Sequence, residues 1–176
     1  VTGEQATVFG EVVSGRPAEL PGVEEMVGLF ICTVPVRVKA DGGRTWSALL
    51  REVQAAALAA EPHHTLPIAE TQTLTALGRE LFDHLLVFEN YPVERALGGD
   101  GDADALRVEH VEAHDRTHYD LDLTIDPGEA IAIKFGYNRN VYPDEQIARV
   151  GGHLRQLLAH AVAASEKPVA EAVLVT

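Results

Sequence analysis

The chain has few of the residues on which several common classes of protein depend. It contains one cysteine among 176 residues, so neither an intrachain disulfide nor a cysteine-based zinc site can form, and a reducing, cytoplasmic location fits. Only 14 side chains are lysine or arginine against 27 aspartate or glutamate, for a formal charge of −13. Because such a surface repels phosphate groups, we expect neither nucleic acid nor an anionic membrane as a partner.

Long hydrophobic runs are also missing. No apolar stretch approaches the ~20 residues that a membrane-spanning helix needs, and the N-terminus has neither a basic segment nor an apolar signal core. Hydrophobic residues still make up 46% of the chain, which is enough for the core of one domain or of one large lobe. The N-terminus lacks Met and leads at once into strand-like sequence, so we expect a cut through a longer polypeptide.

Six segments have a composition or an alternation that is typical of β-strands. They are residues 8–14, 30–38, 81–88, 106–111, 121–125 and 131–137. Pro35 lies inside the second segment, and because proline cannot donate a backbone hydrogen bond it predicts an edge strand, a bend or a bulge. The sequence of residues 126–128, Asp-Pro-Gly, predicts a turn between the last two strands.

Two long segments have the apolar spacing of an amphipathic helix. The first covers residues 46–60, where Thr45 is suited to the N-cap and Pro62 predicts the end. The second begins near Pro143 and carries an apolar stripe over residues 147–162. A short helix is predicted at residues 67–72. Six strands with two long helices predict an α/β sandwich, in which helices cover a sheet.

Three histidines and a group of acidic residues are candidates for metal binding. His110, His114 and His118 recur every four residues, which on a helix would place three imidazoles on one face. The alternation around them favours a strand that runs into a loop, so we expect no metal site. The acidic segment 98–104 begins like a calcium loop but lacks the glycine and the glutamate that such a loop requires, which favours a surface loop.

Arg16 and Cys32 are the other residues with chemical potential. Arg16 stands between Gly15 and Pro17, directly after an apolar strand. Such an arginine either faces a tunnel, where it binds carbonyl oxygens or a phosphate, or pins its loop to a carboxylate or to backbone carbonyls, and the sequence leaves both open. Cys32 lies inside a strand, which is typical of a buried thiol that acts as a small hydrophobe.

Several short segments, in order, resemble the condensation domains of nonribosomal peptide synthetases. They read VFGEVVSGRP, GLFICTVPVRV, PHHTLPIAETQ, LFDHLLVFENYP and THYDLDLTI, followed by the helix sequence RVGGHLRQLLAHAV. Each segment alone is modestly specific, but their order and spacing extend over nearly the whole chain. The resemblance implies that residues 1–176 form the C-terminal lobe of such a domain. This lobe is like chloramphenicol acetyltransferase, with a mixed, mostly antiparallel sheet covered by helices.

The resemblance also implies a function. In this family the donor and acceptor thioesters arrive on phosphopantetheine arms of carrier domains, and the acceptor amine attacks the donor thioester to form an amide. The C-terminal lobe supplies a tunnel wall, a floor loop and a latch that crosses to the N-terminal lobe, and it binds no cofactor directly. The implied partners are the N-terminal lobe, peptidyl carrier domains and an adjacent adenylation domain.

The resemblance assigns two sets of residues to this site. The first set forms the floor loop and the tunnel: Ser14, Gly15, Arg16, Cys32 and Thr33. The second set forms latch or tunnel contacts: Tyr119, Asp120 and Tyr137. Within the second set the latch itself is expected in one strand of the hairpin formed by residues 121–137.

Two departures from the family pattern limit what the chain can do. The acid/base motif HHxxxDG is absent, because His63-His64 is followed by Ile68 and Ala69 where the motif needs Asp and Gly. We therefore expect no catalytic residue in this chain and no activity of the chain alone. Cys32 stands where the family commonly has asparagine, and a thiol offers little of the hydrogen bonding that an amide provides. The sequence GLFICT also argues against the related epimerisation domains.

Three other functions stay open at this point. The chain could belong to an acyltransferase of the same superfamily that uses a free coenzyme A thioester. It could be a non-catalytic lobe that docks carrier domains. It could also be a metal-binding domain that uses the three histidines spaced four residues apart.

Overall fold

The computed structural model describes residues 6–17, 19–39, 42–89, 117–128 and 130–174. Within them five strands are present: β1 (Ala6–Ser14), β2 (Ile31–Lys39), β3 (His84–Phe88), β4 (Leu121–Pro127) and β5 (Ile131–Tyr137). The α-helices are α1 (Trp46–Ala60), α2 (Ile68–Thr73) and α3 (Asp144–Ala163), and short 3₁₀ helices occupy Val23–Glu25, Glu61–His63, Gly78–Leu81 and Val169–Glu171. The strand predicted at 106–111 and the loop predicted at 98–104 lie outside the described residues.

The five strands form one mixed sheet in the order β2-β1-β3-β4-β5. The outer pairs β1–β2 and β4–β5 are antiparallel, whereas the inner pairs β1–β3 and β3–β4 are parallel. Nine residue pairs join β1 to β2 and seven join β4 to β5, whereas the parallel pairs β1–β3 and β3–β4 have three and five. Most of the pairing is therefore antiparallel, as predicted. Pro35 lies on β2, which is an edge strand of the sheet, and proline is tolerated there because its missing N–H removes no hydrogen bond between strands.

Most boundaries agree with those predicted from local signals. Helix α1 begins after Thr45, whose Oγ1 accepts a hydrogen bond from the amide of Ala48 at 3.2 Å. Strand β3 is shorter than predicted, because a 3₁₀ helix occupies Gly78–Leu81 and the strand begins only at His84. The predicted turn at 126–128 also begins later, since β4 continues through Pro127, which pairs with Ile131.

The described structure has four buried hydrophobic side chains: Val23, Phe82, Leu85 and Ile147 are 4%, 6%, 5% and 7% exposed. Two of them, Phe82 and Leu85, lie where β1 meets β3. Gly10 pairs with Pro35 on one side and with Leu85 on the other. A Cβ atom at Gly10 would lie 2.9 Å from Phe82 Cζ and 2.5 Å from Leu85 Cδ2, so these side chains occupy the space that any other residue would need.

Helix α3 packs on the sheet through a glycine. A Cβ atom on Gly151 would lie 3.5 Å from Phe135 Cε2 on β5, which is ordinary van der Waals contact. The predicted apolar stripe of this helix is only partly covered. Its members are Ile147, which is buried, Leu154, Leu157 and Ala161, which are half-buried, and Val150, Leu158 and Val162, which are exposed.

Helix α1 is joined to the end of α3. Trp46 Nε1 donates a hydrogen bond to His160 Nδ1 at 2.9 Å, and the Ser47 amide donates to the carbonyl of Ser165 at 2.9 Å. The outward leucines of α1, Leu50 and Leu58, are 58% and 64% exposed. Across the described part of the chain, no helix combines the length and the apolar character needed to cross a membrane.

Candidate functional site

The predicted floor loop, residues 14–17, follows directly from the end of β1. Ser14 is exposed, and the amide of Gly15 donates to the carbonyl of Phe30 at 2.6 Å. A Cβ atom on Gly15 would lie 2.9 Å from Cys32 Sγ and 3.1 Å from that carbonyl oxygen. The glycine is therefore required for the loop to pass this close to β2.

Arg16 makes the contacts of a structural arginine. Its Nη1 donates to the carbonyl of Val23, and its guanidinium carbon lies 4.1 Å from the centroid of the Phe30 ring. A backbone carbonyl and an aromatic face are both favourable for a planar cation. The side chain is half-buried, and among the described residues the only hydrogen-bond partner of its guanidinium is the Val23 carbonyl.

Cys32 and Thr33 lie on β2 beside this loop. They pair with Val13 and Val12 of β1, and both side chains are half-buried. Cys32 Sγ lies 3.9 Å from the carbonyl oxygen of Phe30, a weak contact for a thiol. The structure thus brings the first predicted set of residues together at one end of the sheet.

An apolar loop, residues 26–31, extends from the same end of the sheet and was not predicted as a feature of the site. Val27 and Leu29 are 104% and 90% exposed. The chain is anchored on both sides of these exposed residues. Before them, Val23 is buried and its carbonyl accepts a hydrogen bond from Arg16; after them, the Phe30 carbonyl accepts one from the Gly15 amide. Exposed apolar side chains on an anchored loop mark an interaction surface. The hydrophobic run GLFI, which leads into β2, is the feature of the sequence that could have predicted this surface.

Tyr119 belongs to the second predicted set, is half-buried and packs against Phe82. Its ring stacks on that of Phe82, with centroids 5.4 Å apart and an interplanar angle of 22°. Its amide donates to Thr117 Oγ1 at 3.3 Å. Burial raises the pKa of the Tyr119 hydroxyl, because the charged phenolate loses hydration there.

Asp120 and Tyr137 stabilise the corners next to Tyr119. Asp120 Oδ1 accepts from Asn138 Nδ2 at 2.8 Å, and the Asp120 carbonyl accepts from the Asn138 amide at 3.0 Å, which joins the start of β4 to the end of β5. The Tyr137 hydroxyl donates to Asp144 Oδ1 at 2.8 Å in the first turn of α3. Arg139 also pairs with that carboxylate, at 3.3 Å.

The two predicted sets lie at opposite ends of the sheet. Gly10 of β1 pairs with Leu85 of β3, and Leu85 pairs with Asp122 of β4, so these three residues lie side by side at one level of the sheet. Ser14 is four residues beyond this level and Tyr119 three residues before it. At about 3.3 Å per residue Ser14 and Tyr119 are roughly 20 Å apart along the strands. They do not form one cluster of side chains.

A histidine paired with a carboxylate lines an open cleft at the second end. His84 Nδ1 lies 2.7 Å from Asp83 Oδ1, and the imidazole stacks on Phe9 with centroids 6.1 Å apart. The cleft measures about 520 Å³ and is lined by residues 7, 8 and 79–84. The Asp83 side chain is 82% exposed, so water screens the pair. The cleft is open to solvent, and no motif in the sequence predicted it.

The other histidines form no site in the described structure. His63 and His64 lie at the exposed end of α1, where the carboxylate of an HHxxxDG motif is missing. His118 is described, whereas His110 and His114 lie outside the described residues. Among residues whose placement is described, no three histidine, cysteine or acidic side chains are arranged to hold a metal ion.

An open mixed sheet flanked by helices defines the chain as an α/β sandwich, and comparison with known sequences assigns its family. The condensation-domain family model matches residues 1–176, so the chain belongs to the condensation-domain family. It is 45% identical over 155 residues to one of the plipastatin synthase subunits of Bacillus subtilis (strain 168). It is 42% identical over 157 residues to bacitracin synthase 3 of Bacillus licheniformis. These alignments cover 86% and 88% of this chain but only 6% and 2% of the two relatives.

Solved structures of condensation domains share the fold. The starter condensation domain of the rhizomide synthetase RzmA matches with a TM-score of 0.71 at 19% identity, over 99% of this chain and 41% of that one. The first condensation domain of the CDA synthetase matches with a TM-score of 0.71 at 16% identity, over 99% and 39%. The predicted resemblance and fold class are confirmed. The chain spans about two fifths of these structures and a few per cent of the two curated relatives.

Proposed function

We propose that this chain is the C-terminal lobe of a condensation domain and takes part in amide-bond formation between carrier-bound aminoacyl or peptidyl thioesters. The observation that carries the proposal is the family match over residues 1–176. The similarity to plipastatin and bacitracin synthases supports a place in nonribosomal peptide synthesis. The chain supplies tunnel wall, floor loop and latch, and the catalytic histidine belongs to another part of the domain.

The floor loop acts by positioning in this proposal. Gly15 sets the path of the loop, and Arg16 ties it to Val23 and Phe30. The remaining guanidinium donors of Arg16 bind carbonyl oxygens of a thioester or the phosphate of a pantetheine arm. Cys32 and Thr33 form the adjoining wall. Holding two thioesters in a reactive geometry lowers the barrier without any proton transfer by this lobe.

The apolar loop and the second end of the sheet contact the N-terminal lobe in this proposal. Val27 and Leu29 are almost fully exposed here, and their burial against another lobe would remove apolar surface from water. The latch lies in the hairpin of β4 and β5, near Tyr119, Asp120 and Tyr137. The internal hydrogen bonds of these residues hold the ends of the hairpin in place.

The proposed partners follow from the same family assignment. They are the N-terminal lobe, peptidyl carrier domains and an adjacent adenylation domain, in the cytoplasm. Phosphopantetheine arrives on the carrier domains and is not held permanently by this chain. The formal charge of −13 disfavours nucleic acid as a partner.

Reassembly of the domain tests the proposal. The purified chain is mixed with donor and acceptor carrier domains loaded with aminoacyl thioesters, with and without the N-terminal lobe, and amide product is measured by mass spectrometry. We expect product only when both lobes are present. Product from the chain alone would refute the proposal. The proposal would also be refuted if the two lobes form a complex, as verified by size-exclusion chromatography, and this complex forms no product.

A second candidate is an acyltransferase that uses free coenzyme A thioesters. A mutant starter condensation domain of the rhizomide synthetase RzmA, 19% identical to this chain, is described in complex with C8-CoA. The same assay with an acyl-CoA donor in place of the loaded donor carrier distinguishes the two functions. If the assembled domain binds carriers but forms product from neither donor, a docking lobe is the better description.

A further inference from the structure

A set of hydrogen bonds joins the start of α1 to the end of α3, and one of them involves a histidine. Trp46 Nε1 donates to His160 Nδ1 at 2.9 Å, and the ring centroids lie 6.1 Å apart at an interplanar angle of 57°. The amides of Trp46 and Ser47 donate to the carbonyls of Lys167 and Ser165 at 3.3 and 2.9 Å. The two helices are thus joined across more than one hundred residues of sequence.

The chemistry of the two rings sets the protonation state of His160. An indole N–H only donates, so His160 Nδ1 must be unprotonated and the proton of the neutral imidazole lies on Nε2. Protonation of the imidazole turns Nδ1 into a second donor that faces the first. We propose that Trp46 and His160 form a proton-sensitive clasp, in which protonation of His160 breaks the side-chain hydrogen bond between the start of α1 and α3 while the backbone hydrogen bonds of Trp46 and Ser47 remain.

The other charged groups around the clasp do not replace the lost bond. Glu166, in the turn after α3, accepts a hydrogen bond from the Ser47 hydroxyl at 2.5 Å. Lys167 pairs with Glu171 at 3.8 Å, and on the α1 side Arg44 pairs with Glu52. Attraction between Glu166 and an imidazolium would not restore the clasp, because the Trp46 ring has no acceptor to offer.

The pH range in which the clasp opens can be separated from carboxylate titration. Histidine side chains ordinarily titrate near pH 6.5 and glutamates near about 4.3. Between pH 8 and pH 5 an ordinary histidine changes charge while an ordinary glutamate stays ionised. The ion pairs of Lys167 and Arg44 then remain in place as the clasp opens.

The single tryptophan of the chain provides the measurement. The indole N–H of Trp46 gives the only tryptophan side-chain resonance in a ¹H–¹⁵N spectrum of the 176-residue chain. We expect this resonance to move, and tryptophan fluorescence to change, along one histidine titration curve between pH 8 and pH 5. A resonance and an emission that stay constant over this range in the unaltered chain would overturn the proposal.

Two variants assign the titration to His160. His160→Gln keeps an oxygen acceptor for the indole but cannot gain a charge, so the pH dependence of both signals should be lost. His153→Gln, two helical turns earlier on α3, is the matched control and should keep the full titration. A His160→Gln chain that titrates like the unaltered chain would contradict the clasp. If this variant fails to fold, the resonance of the unaltered chain still decides the question.

Discussion

Replacing Arg16 with alanine separates the two roles open to this residue. The substitution removes the hydrogen bond to the Val23 carbonyl and the contact with the Phe30 ring, which hold the chain on either side of the exposed Val27 and Leu29. Arg16→Lys keeps the charge but loses the planar stacking surface. Both variants leave Gly15 and its close passage along β2 unchanged.

The contacts of Arg16 set the size of the expected effect. A half-buried hydrogen bond from a charged donor contributes about 1.5 kcal/mol, and a partly exposed cation–π contact contributes about 0.5–1 kcal/mol. We therefore expect Arg16→Ala to lower the free energy of unfolding by roughly 2 kcal/mol and Arg16→Lys by about 1 kcal/mol. With a urea dependence near 2 kcal/mol per molar, the first change moves the unfolding midpoint by roughly 1 M.

Urea unfolding of the chain and condensation by the assembled domain give the two readouts. Arg51→Ala is the control, because Arg51 is exposed on α1 and has the same side chain. We expect Arg16→Ala also to reduce condensation under conditions where the assembled domain stays folded. An unfolding midpoint equal to that of the control would refute the structural contribution. Unchanged condensation with lower stability would show that Arg16 has no role in the tunnel.

Four further substitutions, one of them with a matched control, test other parts of the structure. Gly10→Ala should destabilise the chain by about 1–3 kcal/mol through overpacking. Gly152→Ala, which meets nothing within 4 Å, should not destabilise it in the same urea series, and equal effects would contradict the packing argument. Because burial raises the pKa of Tyr119, the folded state disfavours its ionisation, so the free energy of unfolding should fall as pH rises above 10 through the raised pKa. Tyr119→Phe should flatten this fall, and an identical alkaline profile would exclude Tyr119 as its cause. Cys32→Asn should raise stability by about 1 kcal/mol if the amide bonds the nearby carbonyl of residue 30, and a lower urea midpoint would count against that bond. His84→Gln should leave condensation by the assembled domain unchanged, whereas a large loss of rate would assign proton transfer to this chain.

Elements defined by local signals could be predicted with nearly correct boundaries. Helix α1 begins after Thr45 and ends at Ala60, because a side-chain N-cap and a following proline act within a few residues. Strand β3 was predicted too long because its limit depends on Phe82, which packs against Gly10 from a distant part of the chain. The contact between Phe82 and Gly10 cannot be predicted from the sequence around either residue.

The candidate site was predicted in parts. Residues 14–17, the proposed floor loop, and their neighbours on β2 could be anticipated as a set, since they belong to two short motifs that the antiparallel pairing of β1 and β2 brings together. The separation of roughly 20 Å between Ser14 and Tyr119 could not be anticipated, because it follows from parallel pairings on both sides of β3. The exposure of Val27 and Leu29 could not be anticipated either, because a hydrophobic run is buried or exposed according to which other parts of the structure pack on it.

The order and identity of the residues alone determined the family, the class of fold and the lack of an HHxxxDG motif, because each is carried by short segments of the chain. The tertiary structure decided that Arg16 meets Val23 and Phe30, and that Trp46 meets His160. Contacts of this kind depend on strand order, register and helix packing, which bring side chains together without any spacing that local sequence could reveal.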